Sequence, residues 1–146
     1  MRYFLAIITM GFFFGCQEQP KQSVVPAAKA EVVYDMYDPS EMAQLMNKMY
    51  AHNQTLKQDI LAGNIPVEFP MDFMEIHSAA LTKANMRNET FEHFSRIFIE
   101  AEKAIYDPNA SEPIEARFNT AINVCISCHQ TSCTGPIPRI KKLLIK

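Results

Sequence analysis

The sequence predicts an all-α domain arranged as an up-down-up-down four-helix bundle. Its composition includes nine Met, ten Phe, only four Gly and no Trp, a mix that suits helices and adaptable core packing. Apolar residues recur at helical spacing in four segments, and short turn-like joints separate these segments. A chain of 146 residues buries one core of ordinary size, and short joints favour antiparallel neighbours.

The first helix is predicted between Asp38 and Gly63. Asp38 is the expected N-cap, because Pro39 would take the first helical position and Glu41 would close a capping box. Gly63 is a natural C-terminal stop. Seven residues make the expected inward stripe, namely Met42, Leu45, Met46, Met49, Asn53, Leu56 and Ile60.

Two further helices are predicted in the middle of the chain. A shorter second helix is expected from about Met71 to Thr82, with one side formed by Phe73, Ile76, His77, Ala80 and Leu81. The third is expected to begin with Asn88 or Thr90 as its cap and to stop before Pro108. Its apolar stripe consists of Phe91, Phe94, Phe98, Ala101 and Ile105.

The fourth helix is predicted to open at Ser111 and Pro113 and to carry the cysteine-rich stretch NVCISCHQTSC, residues 123–133. Its core-facing side should hold Ile114, Phe118, Ile122, Cys125 and His129, which follow helical spacing. Gly135 and Pro136 should break this helix. The tail that follows has apolar residues that we expect to dock back on the bundle, namely Ile137, Ile140, Leu143 and Leu144.

The N-terminus, MRYFLAIITMGFFFGC, has the shape of an export signal. Its apolar run of about twelve residues is shorter than the ~20 that a membrane-spanning helix needs. Because it ends on Gly15-Cys16, it resembles a bacterial lipoprotein signal. That resemblance implies a signal peptide at 1–15, lipidation of Cys16, a flexible tether at 16–33 and the folded domain at 34–146. Simple secretory cleavage and a retained anchor are the alternatives.

The charge pattern argues against a nucleic-acid partner. The net charge is −2, and no basic cluster occurs before the last few residues.

The predicted location is the periplasmic face of a bacterial membrane, to which a lipid anchor holds the protein.

Cys125, Cys128 and His129 form a C-x-x-C-H motif, the pattern of c-type haem attachment. On a helix, positions i, i+3 and i+4 share a face within about 6 Å along the axis. Two sulfurs can therefore bond to haem vinyl groups while the adjacent imidazole reaches the iron. We predict one covalent haem c, with Cys125 and Cys128 as the covalent attachments and His129 as the proximal iron ligand.

Three other interpretations of the motif remain open. A structural zinc site needs four ligands, and only Cys133 lies near enough in sequence to join the motif. A thioredoxin-like redox pair expects a βαβ context that this sequence does not show. A disulfide between cysteines three apart on a helix has poor geometry. Cys133 itself is expected to be a buried small residue or a site of intermolecular pairing.

A haem motif on the last helix of an exported four-helix bundle resembles the cytochrome c prime family and its Met-ligated low-spin relatives. The resemblance covers roughly residues 38–131 and also involves the Met-rich first helix. In that family the motif histidine is the proximal ligand, and the first helix lines the opposite haem face. The resemblance implies Met46 as the candidate distal ligand, then Met49, then Met42, with His77 as a rival. Dimers through helix faces are common there, so a homodimer is among the expected partners.

The predicted function is a membrane-tethered, monohaem c-type cytochrome that carries one electron among periplasmic or membrane redox partners. The alternative is a five-coordinate haem protein that binds NO or CO at an open distal site. A non-haem redox or zinc module is a third interpretation. No acid/base or nucleophile set accompanies the motif, so we predict that the protein is not an enzyme.

Overall fold

The computed structural model describes residues 38–146, which form helices and no strand. The all-α prediction is confirmed for this part of the chain. The predicted signal peptide, the tether and the candidate lipidation site Cys16 lie outside the described residues. Within residues 38–146, each helix is too short or too polar to cross a membrane.

Three long helices dominate the described residues: α1 (Glu41–Leu61), α2 (Glu89–Ile105) and α3 (Ile114–Thr131). A short helix, α4 (Ile137–Ile140), follows and continues into a 3₁₀-helix, Lys141–Leu143. Two more 3₁₀-helices, Met71–His77 and Ala84–Met86, lie between α1 and α2.

The N-cap of α1 is Ser40 rather than Asp38, so that prediction is wrong. The Ser40 hydroxyl accepts a hydrogen bond from the Ala43 N–H at 3.2 Å and lies 2.9 Å from the Thr82 hydroxyl. The Glu41 carboxylate accepts from the Ala80 N–H at 2.8 Å instead of closing a capping box. A tertiary contact with residues 80–82 therefore decides where α1 begins. Its end is as predicted, since Gly63 has a φ of 78°.

The predicted second α-helix is a seven-residue 3₁₀-helix, Met71–His77. Its inward residues are Phe73 and Ile76, and Ala79 follows just beyond its end; all three are buried and three positions apart. A repeat of three matches the 3.0 residues per turn of a 3₁₀-helix better than the 3.6 of an α-helix. The backbone bonds agree, because the Phe73 N–H donates to the Pro70 carbonyl at 3.0 Å.

Both ends of α2 are held by side chains. Asn88 is its N-cap, as predicted, and its Oδ1 accepts from the Phe91 N–H at 3.0 Å. At the other end, Arg117 of α3 donates to the carbonyls of Ala104 at 2.6 Å and Ile105 at 3.0 Å. Carbonyls in the last turn of a helix have no partner within the helix, and the Ala104 carbonyl also accepts from the Asp107 N–H at 3.4 Å. Arg117 thereby fixes the turn between α2 and α3.

The core consists of two clusters stacked along the helices. One joins the C-terminal half of α1, the end of α2, the first part of α3 and the tail; it includes Leu56, Ile60, Ile105, Phe118, Ala121, Ile122, Ile126, Ile140 and Leu143. The other joins the N-terminal half of α1, the 71–77 helix and α2; it includes Met42, Leu45, Met49, Phe73, Ile76, Ala79, Phe98 and Ile99. Helices α1 and α2 therefore run in the same direction, and α3 runs against both.

The C-terminal tail docks on the core, as predicted. Ile140 and Leu143 are buried. Asn119 of α3 exchanges two hydrogen bonds with the Ile145 backbone, at 2.9 and 2.8 Å. The Lys57 ammonium group donates to the carbonyls of Lys142 at 3.0 Å and Leu144 at 2.8 Å. The tail is thus tied to α1 as well as to α3.

A carboxyl group, that of Glu102, is fully buried between α1 and α2. The Asn53 amide donates to its Oε1 at 2.8 Å, while Glu102 Oε2 and Asn53 Oδ1 have no protein partner. Burial raises the pKa of Glu102 to about 7, and the Asn53 hydrogen bond offsets only part of this. When the Glu102 carboxyl is protonated, its Oε2 becomes a hydrogen-bond donor, which needs an acceptor. Asn53 Oδ1 is an acceptor without a partner.

We predict that Glu102→Gln makes the folded protein more stable in alkaline solution. The pKa of Glu102 rises from 4.5 to about 7 on folding, so its stabilising effect is present below pH 4.5 and is lost as the pH rises through 7. At pH 8 the free energy of unfolding should increase by on the order of 3 kcal/mol, with little change at pH 4.5. Urea unfolding followed by circular dichroism at both pH values measures this. The exposed Glu100→Gln is the matched control, and an E102Q protein as pH-sensitive as the parent would contradict the assignment.

Candidate functional site

The C-x-x-C-H motif lies on the last two turns of α3, as the sequence predicts. Earlier on this helix, Phe118, Ala121 and Ile122 are completely buried and fix which side of α3 faces the core. Cys125 follows Ile122 by three positions, so it faces inward and packs against both core clusters. Cys128 and His129 are only partly buried. The motif therefore crosses from the core to the surface within one turn.

Cys128 borders a surface groove where the start of α2 meets the end of α3. The groove has a volume of about 110 Å³ and is lined by Asn88, Thr90, Phe91, Cys128, Thr131 and Ser132. Of the two pockets described for residues 38–146, this groove is the one that includes a residue of the motif. This groove is where an external group first meets the motif thiols.

One ring nitrogen of His129 is held by the backbone after α3. Its Nδ1 lies 2.9 Å from the Cys133 carbonyl oxygen. Because a carbonyl only accepts, Nδ1 carries the proton and Nε2 has its lone pair free for a metal. Histidines that bind metals commonly donate their other N–H to a backbone carbonyl in this manner. The geometry thus prepares His129 to be a ligand through Nε2.

Cys133 contributes its backbone rather than its thiol to this arrangement. Its φ of 57° lies in the left-handed region, which is uncommon for a residue other than glycine. The resulting turn after Ser132 accompanies the hydrogen bond from its carbonyl to His129. Cys133 is exposed, so the expectation of a buried small residue is wrong. No sequence pattern indicates the role of this carbonyl, because only the folded turn brings it to His129.

The two motif thiols differ in their surroundings from the third thiol. Burial raises the pKa of Cys125, and the nearby Glu102 carboxylate adds to the effect. Burial also raises the pKa of Cys128, and the neighbouring Cys133 raises it further. Since the thiolate is the nucleophile, both motif cysteines are poorly reactive in the closed fold. All three cysteines of the described residues are free thiols.

The candidate distal methionines divide into two kinds. Met42 and Met49 are buried members of the second core cluster, 6% and 5% exposed. Met46 is only partly buried and packs at the edge of that cluster, which Cys125 also borders. Met42 and Met49 thus fill the core, whereas Met46 has access to both core and surface.

The other histidines have structural partners. The rival ligand His77 is partly buried, with its Nδ1 3.4 Å from the Ser95 hydroxyl. His52 lies 2.8 Å from the Tyr106 hydroxyl, and burial lowers its pKa. His93 is exposed and contacts Phe94 edge-on.

Glu102 is the residue near the site that sequence reasoning missed. It falls four positions after Phe98 and three before Ile105, which are both buried on the apolar face of α2. A carboxylate in such a stripe was the available signal, because buried glutamates are rare unless they are paired. Its charge acts on Cys125, so it belongs to the surroundings of the motif.

The donor chemistry of the site fits covalent haem: two free thiols one turn apart and an imidazole with an available Nε2. Residues 38–146 bring together no group of three or more His, Cys, Asp or Glu side chains suited to a metal ion. The zinc interpretation, which needs four ligands, therefore gains no support from the described residues.

Comparisons with known proteins leave the family open. No family model, no curated protein and no solved structure matches the chain. The proposed relationship to the cytochrome c prime family thus depends on the residues described above.

We predict a fixed order of thiol reactivity in the protein without haem. Exposed Cys133 should react with iodoacetamide first, Cys128 more slowly and Cys125 last, because burial raises the pKa of the last two and shields them. Mass spectrometry of peptides after timed alkylation measures the three rates, and urea should equalise them. Equal rates in the absence of urea would show that Cys125 does not face the core.

Proposed function

We propose that the protein is a monohaem c-type cytochrome that carries one electron at the periplasmic face of a bacterial membrane. The observation that carries the proposal is the state of His129, whose Nδ1 is hydrogen-bonded to a carbonyl while Nε2 is free. Two unpaired thiols lie beside it, Cys128 as the adjacent residue and Cys125 one turn earlier. A C-x-x-C-H motif in this geometry has the parts that covalent haem binding requires.

The described architecture supports the finer proposal of an up-down-up-down bundle in a shortened form. Helices α1, α2 and α3 supply three of its elements. The 71–77 helix occupies the return between α1 and α2, which run in the same direction, and its Phe73 and Ile76 are in the core. We propose that this segment is the reduced second element of the bundle.

The size of the groove adds a requirement to the proposal. Its volume of about 110 Å³ is below the ~300–1,000 Å³ of pockets that bind molecules of drug size. Haem is at least as large as such a molecule, so the groove is too small for it. Attachment therefore requires the start of α2 to separate from the end of α3. The neighbouring chain, residues 78–88, contains one short 3₁₀-helix, and its Ala80 and Thr82 are hydrogen-bonded to the start of α1.

The residues of this chain have distinct tasks in the proposed function. When bound, haem supplies an iron that gains and loses one electron. His129 is oriented by the Cys133 carbonyl, which also increases the donor strength of its imidazole. A Met46 thioether would raise the potential, and the aliphatic and aromatic core would limit the access of water. The buried Glu102 provides a carboxyl group that is partly ionised at neutral pH.

The location and the partners are part of the same proposal. A lipid on Cys16 would tether the domain, and several acyl chains would hold it firmly at the membrane. Soluble or membrane-bound redox proteins of the periplasm are the proposed electron donors and acceptors. Haem attachment in bacteria occurs on this side of the membrane, which agrees with an export signal.

We predict that the full chain, made in a host with a haem-attachment system, shows a Soret band that survives acid-acetone extraction. Extraction removes haem that is not covalently bound, so the band reports thioether bonds. Cys125→Ala/Cys128→Ala should abolish it. Cys133→Ala is the matched control and should retain it, because only the Cys133 backbone touches His129. A parent chain without covalent haem would refute the proposed function.

We predict that Met46→Ala converts low-spin haem to high-spin haem that binds CO rapidly, since the distal ligand is lost. Its cost in stability should be small, because Met46 is only partly buried. Met49→Ala is the control: it should remain low-spin and lose about 2–5 kcal/mol of unfolding free energy as a core residue. Absorption spectra and urea unfolding measure both properties.

Two other outcomes of that experiment are informative. A low-spin spectrum that Met46→Ala leaves unchanged rejects this residue as the ligand. A parent protein that is already high-spin and binds CO rapidly replaces electron transfer with the alternative function, binding of a diatomic gas.

A further inference from the structure

A second pocket of the described residues lies at the end of α1, away from the C-x-x-C-H motif. It has a volume of about 500 Å³ and lies between the C-terminal end of α1 and the tail. We call it the basic pocket, and it is lined by Lys57, Leu61, Lys141, Lys142, Leu144, Ile145 and Lys146. The motif is far along α3 from this region, because the tail packs beside Asn119 while Cys125 to His129 occupy the last turns.

The pocket combines positive charge with an apolar floor. Its lining residues are four lysines and three aliphatic residues, with no acidic side chain among them. The Lys57 ammonium group binds the carbonyls of Lys142 and Leu144 and so shapes the pocket. The other three lysines, Lys141, Lys142 and Lys146, are exposed.

The charge of the chain is separated along the sequence. Residues 134–146 contain Arg139 and three lysines and no acidic residue, a net charge of +4. The whole chain has a net charge of −2, so the preceding residues carry −6. An anionic surface would therefore attract the tail and repel much of the remainder, which orients the domain.

Exposed aliphatic side chains follow the C-terminal end of α1, which lines the basic pocket. Leu61, which lines it, is 57% exposed, and Ile65 and Val67 in the following loop are 73% and 89% exposed. This loop stays near the same end of the molecule, because Phe69 packs edge-on against Tyr106 just after α2. Aliphatic residues with such exposure, beside a ring of lysines, are typical of surfaces that enter the interface of a bilayer.

We propose that the basic pocket, with Ile65 and Val67, binds the surface of a membrane that contains anionic phospholipids. Lysine ammonium groups would contact headgroup phosphates, and the aliphatic floor and loop would contact the start of the acyl chains. Lipid fits better than an acidic protein because the pocket lining combines four lysines with three aliphatic residues, which matches an amphiphile. Asp59 and Glu68 are the acidic residues nearest in sequence to the loop, and they limit the affinity.

The proposed orientation has a functional consequence. With the basic pocket on the membrane, the opposite end, which carries Cys128, His129 and the groove, would face the periplasm. A soluble redox partner could then approach the proposed haem site. The membrane contact itself does not require haem, so its test and that of the proposed function can fail independently.

Lysine footprinting on the full chain tests the proposal. The protein is bound to vesicles of phosphatidylcholine alone or with 30 mol% phosphatidylglycerol, and mass spectrometry measures acetylation of each lysine. Lys141, Lys142 and Lys146 should react at least threefold more slowly on the anionic vesicles. Lys48 and Lys83, which are exposed on other surfaces, serve as internal controls and should be unaffected. Salt at 1 M should abolish the difference, because it shortens the screening length to about 3 Å.

A pair of charge-reversal variants provides the matched control. Lys141→Glu/Lys142→Glu should remove the protection of Lys146, whereas Lys83→Glu/Arg96→Glu, an equal change in charge at exposed positions elsewhere, should keep it. Equal acetylation on both kinds of vesicle, or an equal effect of both variants, would overturn the proposal. Retention on immobilised poly-L-glutamate without protection by vesicles would also overturn it and indicate an acidic protein as the partner.

Discussion

The burial of one face of α3 is the constraint on which the other features depend. Phe118, Ala121 and Ile122 are completely excluded from solvent, so the rotation of this helix is fixed by the core. The same rotation determines that Cys125 points inward and that Cys128 and His129 reach the surface. The position of the motif thus follows from the packing of residues earlier on α3. Repacking around Phe118 would change the orientation of the motif, which begins two helical turns later.

Polar groups in the core give this packing a dependence on pH. Glu102 and Asn53 occupy a position between α1 and α2 that an apolar pair could fill, and each retains an oxygen without a partner. A buried carboxyl that costs stability when ionised is commonly retained for another purpose. Its nearness to Cys125 connects the core to the proposed haem site. The cost at neutral pH is moderate, because the pKa of Glu102 is about 7 and the group is partly neutral.

The two ends of the molecule offer different chemistry. One end has the motif, the groove and the His129–Cys133 hydrogen bond. The other has the lysines and aliphatic side chains of the basic pocket and its loop. The antiparallel course of α3 produces this separation, since the helix begins beside the tail and ends at the start of α2. A domain that meets a membrane at one end and a redox partner at the other needs such a separation.

The sequence by itself determined the all-α class, the existence of the three long helices, the choice of Asn88 or Thr90 as the cap of α2, the Gly63 stop and the docking of the tail. These features depend on periodicity and on local backbone chemistry, which a sequence displays directly. The C-x-x-C-H motif was also recognisable from the sequence, because its residues lie within five consecutive positions. Tertiary structure decided the 3₁₀ form of 71–77, since the core admits Phe73, Ile76 and Ala79 at a spacing of three. It also decided the Ser40 cap, the burial of Glu102 and the use of the Cys133 carbonyl, because each depends on a partner that only folding brings into contact.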